Sequence, residues 1–93
     1  MTFGEIRERI ERELGEGTKA HIEGMPGVTA DHVQGLIVSP QFEGKTMIAC
    51  HRMVMQLFNT EIASNELHAF TFKTFTPEQY EQQFQQISVP GKG

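Results

Sequence analysis

Cysteine is almost absent from this sequence: there is one, Cys50, in 93 residues. A lone thiol cannot close an internal disulfide, so nothing points to an oxidising compartment. Long apolar runs are missing as well, and none approaches the ~18 residues that a membrane-spanning helix needs. No basic run is present. Eight Lys and Arg stand against twelve Asp and Glu, for a net charge of −4. With a pI of about 5.5, the chain lacks the broad positive footprint of a nucleic-acid-binding domain, so such a role would rest on a local patch. There is no phosphate loop, no C-x-x-C, no defensible carboxylate pair, and no Ser/His/Asp or Cys/His arrangement at recognisable spacing. No enzyme site is therefore in view. Repeats and low-complexity linkers are also lacking.

What is present suits one small domain. Ninety-three residues leave little room for a second core, and 38% hydrophobic content with seven Phe supplies a modest one. The opening stretch, MTFGEIRERIERELGEG, is charged and amphipathic. It has no signal-peptide core, and its glutamates argue against an attached transit peptide. The expectation is an intracellular, cytoplasmic monomer, with mitochondrial and nuclear sites open. Residues 1–88 would form the domain and 89–93 a frayed tail.

Thr2 and Glu5 hold the N-cap and N3 positions of a capping box, and Phe3, Ile6, Ile10 and Leu14 recur at helical spacing. Glu5–Arg9 and Glu8–Arg12 stand i,i+4 in the favourable order. Gly15 and Gly17 stop this helix, whose charged side reads as a solvated face. Thr18 to Met25 alternates as a half-buried strand, with Lys19, His21 and Glu23 on the wet side. Pro26-Gly27 breaks it, and the loop to Asp31 is too long for a two-residue hairpin. His32 to Ser39 reads as a second strand, apolar on both faces towards its end, which suits a central position. Pro40 ends it, and Gln41 to Gly44 make a turn.

From Lys45 to Ala63 the period becomes helical, with a stripe of Met47, His51, Val54, Phe58 and Ile62, widened by Leu57. The methionines read as adaptable core filler. Leu67 to Phe75 is a third strand, with His68, Phe70 and Phe72 on one face and Lys73 on the other. Thr76-Pro77-Glu78-Gln79 caps a last helix with a stripe of Tyr80, Phe84 and Ile87. A right-handed strand–helix–strand crossover makes the second and third strands parallel. The expected class is α+β, in the order αββαβα: a three-stranded mixed sheet with helices packed on one face.

Four histidines and the thiol carry what chemistry there is. His21 sits on the wet side of a strand, where an exposed strand histidine is the common case. His51 lies on a helical stripe and reads as packed and structural. Cys50, on the opening turns of that helix, reads as a partly buried structural thiol. Arg52 belongs to the docking or solvent face.

Val38-Ser39, Phe42-Glu43-Gly44-Lys45, His51-Arg52-Met53-Val54, Leu67-His68-Ala69-Phe70 and Lys73 to Tyr80 follow one another in the order and with the gaps of the BolA family. That family's pattern runs V-S-x-x-F-x-G-K, R-H-R-x-V-Y, I-H-A-L and a T-x-E-W-like end. The second half of the chain resembles it closely. The first helix and strand match only in type, and Cys50 stands where the family usually has Arg.

The resemblance implies a class II KH-like fold and a non-enzymatic adaptor that pairs with a monothiol glutaredoxin. The pair would hold a [2Fe–2S] cluster, used in cluster trafficking or iron sensing, with glutathione supplied by the partner. It places one cluster ligand on His68, the histidine of the I-H-A-L motif. A second falls in or beside the loop between the first two strands. That loop has no cysteine, so His32 is the choice, with His21 behind it. A [2Fe–2S] cluster takes four ligands, and a chain with one cysteine needs thiolates from its partner. Nucleic-acid binding is the alternative, through Lys45, Arg52 and Lys73, although F-E-G-K is not the G-x-x-G clamp of RNA-binding KH domains.

Overall fold

Helix α1 (Phe3–Leu14) begins as its capping box requires. The Thr2 amide donates to Glu5 Oε1 at 2.8 Å, and the Glu5 amide donates back to Thr2 Oγ1 at 3.1 Å. At the other end Gly15 takes φ +89°, and its amide closes on the Glu11 carbonyl. The computed structural model describes residues 2–24, 32–67 and 69–88. After α1 come β1 (Lys19–Gly24), β2 (His32–Val38), a 3-10 helix (Pro40–Phe42), α2 (Met47–Gln56), α3 (Asn59–Ala63), β3 (Ala69–Phe75) and α4 (Pro77–Ser88). The expected tail, residues 89–93, lies outside the described residues. Phe84 and Ile87 fall in α4, described there by backbone alone.

The sheet order is β1-β2-β3, with β1 antiparallel and β2/β3 parallel, as the crossover rule requires. Alternation divides the strands into two faces. Ala20, Ile22, Val33, Ile37, Phe70 and Phe72 face the helices. There Ile6, Ile10 and Leu14 of α1 and Cys50 and Val54 of α2 join them in one core with Phe42, Phe58 and Leu67. Burying each large member contributes roughly 1.5–3 kcal/mol before entropy is counted. Gly35 sits on this face where space runs out. A Cβ there would lie 2.9 Å from Ile22 Cδ1 and 3.3 Å from Phe70 Cε1.

The turn after β2 is more ordered than the sequence suggested. Ser39 is fully buried; its hydroxyl meets Thr18 Oγ1 at 2.8 Å and accepts from the Gln41 amide, capping the 3-10 helix that Pro40 opens. Thr18 therefore belongs to this buried hydroxyl pair and precedes β1.

The long helix expected over 45–63 is two helices. α2 ends at Gln56, the chain turns at Leu57 and Phe58, and α3 follows. The cause is a competing partner for the backbone. Arg9 reaches from α1 and donates to the Leu57 carbonyl at 3.0 Å and to Glu61 Oε1 at 2.8 Å. Its guanidinium stands 5.3 Å from the centroid of the Phe58 ring, which is fully buried. The expected stripe shifts in phase as a result. Val54 and Phe58 are core, but Cys50 takes the place given to His51, and Met47, just past the N-cap Thr46, is 82% exposed. The i,i+4 pairs in α1 also give way: Arg9 bonds Glu61, Glu5 serves the capping box, and Arg12 meets its neighbour Glu13 at 3.4 Å. β3 begins at Ala69, after Leu67, whose amide bonds the Glu61 carbonyl and whose side chain is core.

The Arg9–Glu61 clamp makes stability depend on acid. The Arg9 hydrogen bond holds the Glu61 carboxyl below its ordinary 4.5. A carboxyl depressed on folding stabilises fully above its unfolded value, and that contribution vanishes as pH falls through the folded value. Glu5 shifts the same way, chiefly through the Thr2 amide, and remains when Arg9 is replaced. Between about pH 7 and pH 3, the loss of melting temperature should therefore be smaller in Arg9→Met than in the wild type. Equal losses would show that the clamp contributes nothing.

Candidate functional site

The parallel pair β2/β3 brings two strand entrances to the same end of the sheet. His32 opens β2 and pairs in register with Ala69, the first residue of β3. Neighbouring strands run about 4.8 Å apart. His68 lies outside the described residues; in the sequence it is joined directly to Ala69. His32 is described by its backbone alone. β2 occupies the centre of the sheet, so His32 enters on the strand that both others flank.

His21 is elsewhere. It is exposed and pairs with Leu36, four positions along β2 from His32. At about 3.3 Å per residue that is roughly 13 Å along the strand, with a strand spacing to add. His51 is exposed on one side and on the other stacks on Phe72, centroids 4.5 Å apart and planes at 15°. It is a rim residue that covers the end of the core. Cys50, next to it, is 5% exposed, and its Sγ lies 3.8 Å from the Phe42 carbonyl oxygen. Among the described residues no group of three His, Cys, Asp or Glu is gathered as a metal site.

The three basic candidates do not form one patch. Lys45 and Arg52 are exposed at and beyond the start of α2, beside the exposed Met47 and Ile48. Lys73 is exposed on the opposite face of the sheet, because its neighbour Phe72 points to the side that α2 covers. No acidic residue stands between Lys45 and Thr60. The Met47–Ile48 exposure is the feature that periodicity missed. Its signal was the N-cap Thr46, which makes Met47 the first residue of the helix, ahead of the turns that reach the sheet.

The resembling motifs have local physical reasons. Ser39 is the buried cap, Phe42 is core, Gly44 takes φ +76° and Thr46 caps α2 by accepting from the Ala49 amide. A model of the BolA-like protein family matches residues 10–79. The chain belongs to the BolA-like family. It is 34% identical over 79 residues to BolA-like protein 2 of Mus musculus, covering 84% of this chain and 88% of that one. The structure of a BolA homologue from Coxiella burnetii aligns with a TM-score of 0.68 at 30% identity, over 87% of this chain and 97% of that one. A Vibrio cholerae relative, the DNA-binding transcriptional regulator BolA, is 29% identical over 68 residues, which is 73% of this chain and 63% of its own. Membership of the BolA-like family agrees with the order of elements.

Buried against a carbonyl, Cys50 should not react with a thiol reagent such as Ellman's in the native protein, and should react fully on unfolding. Rapid native labelling would place the thiol at the surface.

Proposed function

We propose that this BolA-like protein is a non-enzymatic adaptor that pairs with a monothiol glutaredoxin and shares a [2Fe–2S] cluster with it. His68 is one ligand and His32 the second. The observation that carries the reading is the parallel register, which pairs His32 with the residue that follows His68. His21, some 13 Å further along by the strand rise, is the poorer second ligand. The chain's only thiol is buried in the core, so the thiolates of such a cluster come from the glutaredoxin and the glutathione bound with it. The cluster, when held, is what the pair would carry or sense; this chain's part is to supply imidazole nitrogens from the two strand entrances.

Co-purification with a monothiol glutaredoxin under anaerobic conditions, with glutathione, tests this. His68→Ala should change the visible absorption and circular dichroism of the cluster and shorten its lifetime. His32→Ala should do so more weakly, and His21→Ala not at all. A His68→Ala complex with the wild-type spectrum and lifetime would overturn the ligand assignment.

A second reading has one specific support. The Vibrio relative is a DNA-binding regulator, and Lys45 and Arg52 are both exposed on a run, 45–60, that contains no acidic residue. On this reading Lys45→Ala weakens binding to duplex DNA uniformly across sequences and flattens its salt dependence, because each phosphate contact releases counterions. Absence of binding at low salt would eliminate it.

A further inference from the structure

α3 has little of its own to hold it in place. It is five residues long, no side chain caps its start, and none of its residues is fully buried. Helices this short are marginal by themselves. Phe58 anchors the start in the core, and Ile62 packs partly against that core. A further tie comes from α1, where Arg9 donates to the Leu57 carbonyl at 3.0 Å and to Glu61 Oε1 at 2.8 Å.

Glu61 is bonded at both of its ends. Its carboxylate takes Arg9, while its carbonyl accepts from the Leu67 amide at 3.0 Å and from the Ser64 hydroxyl at 3.2 Å. Between those two donors Asn65 takes φ +65°, a left-handed conformation that asparagine tolerates. Leu67 is buried and belongs to the core. In the sequence it is joined directly to His68, and Ala69 then opens β3. One hydrogen-bonded path therefore runs from the Arg9 guanidinium, through Glu61, to the residue before His68.

We propose that Arg9 is a positioning residue for the cluster site: through Glu61 it fixes Leu67, and with it the point from which the chain supplies His68. The proposal rests on the reading of His68 as a ligand. Arg9 acts through Glu61 and Leu67 and not on the cluster itself. Groups that orient a metal ligand matter nearly as much as the ligand, and their removal typically costs about 10–100-fold in affinity. A simple attraction between a cation on α1 and an anionic cluster is a different effect. Arg12, exposed one turn along α1 and in contact with Glu13, separates the two.

The test is the anaerobic complex with a monothiol glutaredoxin and glutathione, held well below the melting temperature of every variant. Arg9→Met and Glu61→Ala should each shorten the lifetime of the cluster about tenfold, the low end of that range. Glu61→Ala carries the comparison should Arg9→Met not fold. Glu61→Gln, which keeps an acceptor oxygen for Arg9, should recover most of the loss, and Arg12→Met should cause none. In a His68→Ala background Arg9→Met should add nothing, because both act on one ligand, whereas a general loss of stability would add in full. In the chain alone, NMR should show the Leu67 and Ala69 amides displaced by Arg9→Met while those of Ile22 and Gly35 stay. The proposal fails if neither variant shortens the lifetime, if the loss adds to that of His68→Ala, or if the Leu67 and Ala69 amides do not move. An effect of His68→Ala without one of Arg9→Met and Glu61→Ala overturns the positioning role alone. No effect of His68→Ala overturns the ligand assignment, and this proposal with it.

Discussion

The parallel pairing of β2 with β3 is the constraint on which the molecule depends. Parallel strands need a crossover, and this one is built from the 3-10 helix, α2, the turn at Leu57–Phe58 and α3. Because both strands run the same way, their entrances lie at one end and their exits at the other. Ser39 shows how tightly the exit end is tied. Its amide bonds the Phe75 carbonyl, and its hydroxyl meets Thr18 and caps the 3-10 helix. One small residue thus links the chain before β1, the end of β2 and the end of β3. The entrance end carries His32 and Ala69 and has no comparable tie among the described residues.

Arg9 is the second fastening. One guanidinium satisfies a carbonyl at a helix break, pairs with Glu61 and covers the Phe58 ring. α1 is therefore joined to the crossover through a polar contact as well as through Ile6, Ile10 and Leu14. The contact is partly buried, with side-chain exposures of 28% and 14%, so its geometry counts for more than that of an open surface pair.

Most of this architecture was legible in the residues. Capping boxes at Thr2 and Thr76, alternation through β1 and the apolar run of β2 all depend on neighbours a few positions apart, and local sequence reports them. What was not legible depends on residues far apart in the chain. Arg9 and Leu57 are separated by 48 positions, and nothing near Leu57 announces that a guanidinium will take its carbonyl. The phase of α2 was misread for the same reason. Met47 and His51 suit an apolar stripe by spacing, but the sheet lies under Cys50 and Val54. At the candidate site, the resemblance supplied His68 and the crossover rule implied that the two strands enter together. The pairing of His32 with Ala69 needed the register itself. The scatter of Lys45, Arg52 and Lys73 over two faces follows from sheet alternation and was already implicit in the opposed positions of Phe72 and Lys73.

The turn at Leu57–Phe58 also acts as a ruler. β2 has seven residues, which span about 23 Å at the usual rise. An unbroken helix over the nineteen positions from 45 to 63 would run about 28 Å, carrying the chain beyond the sheet before it could turn back. Split into ten residues and five, the return path shortens and bends. The chain then comes back level with the first residue of the central strand, where β3 can start opposite His32. An insertion or deletion of one residue near Leu57 would therefore be felt at both places at once: as lost packing of Phe58, and as a displaced start for the strand that follows the I-H-A-L histidine.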